Sequence, residues 1–154
     1  LQKRMHEHLS EVGGIEYTAE EKAFADKIAV SLGMEKADLA VAKNIQPYQT
    51  EARAYGSTDV GDVSFTVPTV GFGTATWVPG TPAHSWQAVA AGGTSIGTKG
   101  MMVAAKTLTK TAIDLFKDKK LVADAKSEFM NNRGADFKYV PLLGDRAPAL
   151  EYRN

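Results

Sequence analysis

The sequence predicts an α/β fold, in which helices pack against at least one strand. Residues 68–77 alternate bulky and small side chains, with Val70 and Phe72 separated by glycine, which is typical of a strand packed tightly against another layer. A long amphipathic pattern over residues 95–116 predicts a helix. Because glycine and alanine are frequent around the start of this pattern, the helix is expected to lie close to the sheet.

The composition argues against several classes of protein. Eighteen basic and eighteen acidic side chains cancel, and no run of Lys or Arg stands out, so neither a nucleic-acid surface nor an anionic-membrane surface is predicted. The absence of cysteine excludes disulfides and thiolate metal sites. No apolar run approaches the roughly 18 residues that a membrane-spanning helix needs.

The first helix is predicted over residues 1–12, where apolar side chains recur on one face before a pair of glycines. His6 and His8 are two residues apart and therefore point to different sides of this helix. Since side chains on different sides cannot share one ion, we expect solvated histidines rather than a metal site.

A second helix is predicted to begin after Thr18, because Thr18 and Glu21 have the spacing of a capping box. The neighbouring pair Glu20 and Glu21 also suggests a catalytic role. The cap already accounts for Glu21, and the first turn of a helix is an ordinary position for Glu20. The structural interpretation is therefore favoured.

Two helices are predicted in the C-terminal half. In the pattern over residues 95–116, Met101, Leu108 and Leu115 recur on one face, and we expect this face to pack into the core. Asp118 is a suitable N-cap for a last helix that ends near Gly134.

Gly56, Ser57, Thr58 and Asp59 predict a turn that opens a short helix. Ser, Thr and Asp favour helix N-caps, and glycine allows a ligand to approach the backbone closely. The free amides of such a turn suit a carboxylate or a phosphate. The alternative is that Asp59 simply caps its own helix, and the local sequence alone favours this alternative.

His84 lies in a loop rich in proline and glycine, before another helical pattern. A single loop histidine is usually not a metal ligand, since catalytic zinc takes about three protein ligands. Asp59 and Asp62 are candidates, but Asp59 is better used as a cap. If His84 binds a metal, its partners are therefore expected on chain outside these residues.

Two motifs carry a resemblance to a known family. The first is the Gly56–Asp59 turn, and the second is Gly80-Thr-Pro-Ala-His84-Ser. In this order they resemble the C-terminal part of the dinuclear-metal amidohydrolases and carboxypeptidases, which include aminoacylase, succinyl-diaminopimelate desuccinylase and the glutamate carboxypeptidases. The fuller runs, from Gly56 to Ser64 and from His84 to Gln87, are closer to the branch that hydrolyses p-aminobenzoyl-glutamate. The resemblance covers most of the chain.

The resemblance implies a fold and a domain organisation. In this family a lid and dimerisation domain interrupts the catalytic domain, and the segment after the lid completes a three-layer α/β/α sandwich. Residues 1–154 are then this C-terminal segment, without the lid domain and without the N-terminal metal-binding half. The lack of an initiator methionine before Leu1 agrees with this expectation. The resemblance also implies a cytoplasmic protein that forms a homodimer, or a hetero-oligomer with an A-type subunit.

The resemblance further implies a site and a reaction. His84 is the last ligand of a site for two divalent ions, Zn or Mn, and Gly56, Ser57 and Thr58 lie beside the substrate's carboxylate. The general base is expected in the missing part, so no catalytic residue is predicted in this chain. The implied reaction is hydrolysis of the amide bond of p-aminobenzoyl-glutamate, or of a related N-acyl amino acid, by metal-activated water.

Two departures leave the substrate open. Tyr55 precedes the turn where relatives often have glycine, and Trp86-Gln87 follows His84-Ser85 where many have an acidic residue. A different class of function also stays open. The chain is then a stable α/β fragment without catalytic activity, or a carboxylate-binding module that uses the Gly56 turn without metal.

Overall fold

The computed structural model describes residues 1–50 and 58–151 and contains seven helices in these ranges. They are α1 (Gln2–Val12), α2 (Ala19–Ser31), α3 (Ala40–Lys43), α4 (Val60–Ser64), α5 (Trp86–Gly92), α6 (Ser95–Lys117) and α7 (Lys119–Arg133). The described residues form no strand and no sheet. The predicted α/β fold, with its three-layer α/β/α sandwich, is therefore wrong for the part of the chain that the structure describes. In the same ranges, no helix combines the length and apolar character needed to cross a bilayer.

The helix boundaries follow the capping signals of the sequence. The Thr18 hydroxyl accepts a hydrogen bond from the Glu21 amide at 3.2 Å, and the Glu21 carboxylate accepts one from the Thr18 amide at 2.7 Å. This reciprocal pair confirms the predicted capping box. Asp118 accepts bonds from two amides in the first turn of α7, which confirms the predicted cap of the last helix.

Residues 68–77 form neither a helix nor a strand, and within them the Thr76 amide donates a hydrogen bond to the Thr74 carbonyl at 3.0 Å. Burial alternates along them: Val70 and Phe72 are half-buried, whereas Thr69 and Gly71 are exposed. The predicted strand is therefore wrong for these residues, although their burial alternates as the sequence does. A strand also requires a neighbouring backbone to pair with. Here the end of the segment lies against helix α6 instead.

The glycines at the start of α6 permit this contact. A Cβ atom added at Gly100 would collide with the carbonyl oxygen of Ala75, and one added at Gly97 would collide with that of Gly92. Close packing was predicted correctly from these small residues, but the neighbour was not. The helix contacts Ala75 and Thr76 and the end of α5 rather than a sheet.

Gly100→Ala is expected to destabilise the chain by about 2 kcal/mol, since a backbone carbonyl cannot move aside as a flexible side chain can. Urea unfolding of the chain measures this loss. Gly61→Ala is the matched control, because Gly61 lies within α4 and an added Cβ meets no atom within 4 Å. The control is expected to be neutral, or stabilising by up to about 1 kcal/mol. Equal stability of the two variants would contradict the Gly100 contact.

The predicted inward face of α6 is wrong. Met101 is 55% exposed and Leu108 is 51% exposed, whereas Thr107 and Thr111 are buried. Each buried threonine donates its hydroxyl proton to the carbonyl four residues earlier, at 2.9 Å. A threonine bonded in this way can be buried without an unsatisfied polar atom. The face of α6 that is most buried is therefore less apolar than the stripe predicted from the sequence.

The core lies around α2, α5 and the first turn of α6. It consists of small and aliphatic side chains: Ala25, Ile28, Ala29, Ala37, Val78, Ala91 and Ile96. Val78 and Ala91 are the members that matter for the site, because they lie on either side of the loop that carries His84. Both ends of that loop are thus anchored in the core.

Candidate functional site

The loop before His84 begins with a tight turn. The Thr81 amide donates a hydrogen bond to the Val78 carbonyl at 3.1 Å, with Pro79 and Gly80 between them. Gly80 has a φ of 85°, a conformation that side chains other than glycine rarely adopt. Proline followed by such a glycine is typical of a type II turn. The Pro-Gly pair in the sequence therefore fixes the direction of the chain toward His84.

A helix cap fixes the other side of His84. The Ser85 hydroxyl donates to the carbonyl of Pro82 at 2.8 Å and accepts from the amide of Ala88 at 3.2 Å. Ser85 is thus the N-cap of α5. His84 lies directly between this cap and the preceding turn, so its backbone is held from both sides.

His84 has a left-handed backbone conformation, with a φ of 59°. It is the one residue other than glycine with positive φ in the part of the chain that the structure describes. Such a conformation costs about 1–3 kcal/mol and occurs preferentially at functional positions. The side chain is exposed. The fold therefore combines an unfavourable backbone conformation with an exposed imidazole at this position.

The imidazole lines an open cavity of about 510 Å³. Much of its wall is formed by Trp77, at the end of residues 68–77, and by Trp86 and Val89, from α5. The wall is mostly apolar. Gly92 lies beneath the Trp77 ring, since a Cβ added there would lie 3.8 Å from Trp77 Nε1. Among the described residues that form this wall, His84 alone has an ionisable side chain. The cavity thus combines one nitrogen ligand or base with two aromatic surfaces.

Of the predicted carboxylate-binding turn, the structure describes Thr58 alone. Gly56 and Ser57 lie outside the described residues. Thr58 is exposed and does not line the cavity, and its hydroxyl accepts from the amide of Val60 at 3.2 Å. Asp59 lies at the N-cap position of α4, but its side chain makes no capping bond. The alternative that Asp59 caps its own helix is therefore wrong, and Thr58 satisfies the amide of Val60 instead.

The described residues do not form a metal site by themselves. Within these ranges, no three histidine or acidic side chains lie close enough together to hold an ion. His84 could supply one ligand only, whereas catalytic zinc takes about three from the protein. A metal centre that includes His84 would need ligands from elsewhere.

Glu21 is structural rather than catalytic. Its buried carboxylate accepts hydrogen bonds from the Ser95 hydroxyl at 2.6 Å and from the Lys99 ammonium at 2.5 Å, as well as from the Thr18 amide. Burial raises its pKa, but these donors more than offset that effect and lower the pKa to about 2. Because every donor is held by the fold, the carboxylate ties the start of α2 to the start of α6.

The prediction of a solvated His8 is wrong. His8, on α1, is buried on the side that faces α6, and its Nε2 lies 2.8 Å from Asp114 Oδ2. Arg4 Nε lies 2.5 Å from the same oxygen, and the hydrogen bond from Arg4, followed by that from His8, lowers the pKa of Asp114. His6 is half-buried and packs against the Tyr48 ring. No spacing rule could have found the Asp114 partner, which is 106 residues from His8.

Comparison with known proteins identifies a relative of this chain. The chain is 33% identical to the B-type subunit of p-aminobenzoyl-glutamate hydrolase from Escherichia coli (strain K12), in an alignment of 173 positions. The alignment covers 97% of this chain and 36% of the relative, so the chain spans about a third of that protein's length. No family model matches the chain, and no solved structure matches it. The resemblance predicted from the two motifs is confirmed: along nearly its whole length, this chain is similar to a p-aminobenzoyl-glutamate hydrolase subunit.

Proposed function

We propose that this chain is part of a hydrolase that cleaves the amide bond of an N-acyl amino acid, with p-aminobenzoyl-glutamate as the first candidate substrate. The observation that carries the proposal is the strained, exposed His84 at the wall of an aromatic cavity. The similarity to a p-aminobenzoyl-glutamate hydrolase subunit supports the same reaction class. The rest of the catalytic machinery would lie in sequence outside these 154 residues.

His84 would supply one ligand to a pair of divalent ions, Zn or Mn. When bound, such ions lower the pKa of water, so that hydroxide is available to attack an amide at neutral pH. The contribution of this chain is positional. The turn at Pro79-Gly80 and the cap at Ser85 hold the backbone of His84 from both sides, so little backbone entropy remains to be lost on binding.

The turn at Gly56, Ser57 and Thr58 would bind the carboxylate of the amino-acid portion. Its backbone amides are the expected donors, and the Thr58 hydroxyl, which accepts a bond from the Val60 amide, still has its own proton to donate. Such contacts orient the substrate rather than take part in bond cleavage. The carboxylate and the acyl group would then be bound by two different segments of the chain.

The assembly and the location of the protein belong to the same proposal. The relative is by name one subunit of its hydrolase, which supports an enzyme with more than one subunit. We propose a homodimer or a hetero-oligomer with an A-type subunit, in the cytoplasm. No nucleic acid and no membrane takes part.

An activity assay tests the proposed function. The longer protein that contains this chain is incubated with p-aminobenzoyl-glutamate, and the release of p-aminobenzoate is measured. We expect release by the longer protein and none by residues 1–154 alone, because the latter hold a single candidate ligand. A longer protein that hydrolyses no N-acyl amino acid would overturn the proposal.

The second candidate function is carboxylate binding without catalysis. It is favoured by the lack of a metal-ligand cluster in the described ranges. Saturable binding of glutamate to this chain, unaffected by chelators, together with no hydrolysis by the longer protein, would support this candidate instead.

A further inference from the structure

We propose that Trp77 and Trp86 form a binding site for the aromatic ring of the acyl group, beside His84, and thereby select aroyl over short alkanoyl amino acids. The inference rests on the proposed function and specifies the acyl side of its substrate. Trp77 and Trp86 are the chain's only two tryptophans, and they line the same cavity as the imidazole.

The first argument is the exposure of apolar surface on α5. Trp86, the first residue of the helix, is 63% exposed, and Val89, one turn later, is 78% exposed. Single exposed apolar residues are common, but an indole and a valine on one helical face, at the wall of a cavity, form a contiguous patch. Such a patch is available for a ligand or partner to cover.

The second argument is that the two indoles are carried by different elements, each with its backbone fixed by the fold. Trp77 precedes Val78, which is buried in the core, and its ring lies over Gly92 at the end of α5. Trp86 follows the Ser85 cap directly. Because the backbone at both positions is fixed, only side-chain rotation remains to be restricted on binding, which favours binding.

The third argument is the chemistry of the wall. Apart from His84, none of the described residues that line the cavity is ionisable, so a neutral and apolar group fits it best. An aromatic ring gains more than an alkyl group of similar area, because ring–ring contacts have a favourable geometry of their own. The cavity volume of about 510 Å³ lies in the ordinary range for small-molecule sites. With the imidazole at its rim, the ring of an aroyl group would place its carbonyl toward His84.

The kinetic test compares two substrates that differ only in the acyl group. In the longer protein, kcat/KM is measured for N-benzoyl-glutamate and for N-acetyl-glutamate. Trp86→Ala is expected to lower the ratio of the two values at least tenfold, mainly through KM for the benzoyl substrate. Trp86→Phe should retain most of the preference. Phe116→Ala, which removes a 91% exposed ring outside the cavity, is the control and should leave the ratio unchanged.

A binding test separates this inference from the hydrolase proposal. The two indole N–H signals of this chain are followed by NMR during titration with N-benzoyl-glutamate and with N-acetyl-glutamate. We expect a saturable shift of both signals with the benzoyl compound only. Such a shift without hydrolysis by the longer protein would support the aromatic site and overturn the hydrolase. Hydrolysis with an unchanged ratio in Trp86→Ala, or the absence of any saturable indole shift, would overturn the aromatic site and leave the hydrolase standing.

Discussion

Replacing His84 by alanine in the longer protein is expected to lower kcat/KM for amide hydrolysis more than about 100-fold, because His84 is proposed as a direct metal ligand. Losing a residue that merely supports a ligand already costs roughly 10–100-fold. Steady-state hydrolysis of p-aminobenzoyl-glutamate measures the effect. His6→Ala is the matched control, because His6 is a half-buried histidine that packs on Tyr48 and lies outside the cavity of His84. Equal activity of the two variants would contradict the role of His84.

The same position offers a test in which activity and stability change in opposite directions. Glycine adopts a positive φ without strain, so His84→Gly is expected to stabilise the chain by about 1 kcal/mol in urea unfolding. It should still abolish the activity of the longer protein. His84→Ala keeps the unfavourable φ of 59° and should bring no such gain. If His84→Gly is less stable than His84→Ala, the strain argument fails.

The largest expected effect on stability comes from Glu21. Glu21→Ala is expected to destabilise the chain by about 3 kcal/mol at neutral pH, because it removes the capping box and the partner of Lys99 together. Urea unfolding measures the loss. Glu20→Ala is the control, since Glu20 is exposed in the same helical turn and should cost less than about 1 kcal/mol. Similar losses for both variants would show that the buried network contributes little.

The pH dependence of this contribution has a definite sign. The pKa of Glu21 in the folded chain is about 2, below its ordinary value of 4.5. Its stabilising effect is therefore fully present above about pH 4.5 and is lost as the pH falls toward about 2. The difference in unfolding free energy between the wild type and Glu21→Gln should be constant from neutral pH down to the ordinary pKa and should shrink below it. A difference that stays the same from about pH 6 to about pH 3 would be inconsistent with the lowered pKa.

Helix boundaries were the part of the fold that the sequence predicted best, because the signals for them are local. The caps Thr18 and Asp118 bond to amides within three residues along the chain. The prediction of a sheet was wrong for the opposite reason, because the pairing of strands is not a local property. The alternation over residues 68–77 is compatible with a strand, but a strand depends on a second segment, which local sequence does not specify.

The error on α6 has a related cause. The sequence showed an apolar stripe through Met101 and Leu108, but which face is buried depends on the partner helix. Here α1 lies along α6 and brings His8 and Arg4 to Asp114. A polar and small-residue face is therefore the one that packs, with the hydroxyls of the buried threonines satisfied within the helix.

Part of the candidate site was accessible from the sequence. The loop of His84 could be predicted because Pro79 and Gly80 have strong turn preferences and Ser85 is a good N-cap. The positive φ of His84 and the cavity shared by Trp77 and Trp86 could not be predicted, since they depend on how residues 68–77 pack against α5. The assignments of His84 and Thr58 as ligand and substrate contact remain predictions.

The most direct test of the proposal that His84 completes a metal centre shared with another part of the protein is the metal content of that longer protein. Zinc and manganese bound per molecule are measured by mass spectrometry after gel filtration, for the wild type, His84→Ala and His6→Ala. We expect about two ions in the wild type and in His6→Ala, and the loss of at least one in His84→Ala. An unchanged metal content in His84→Ala would contradict the account.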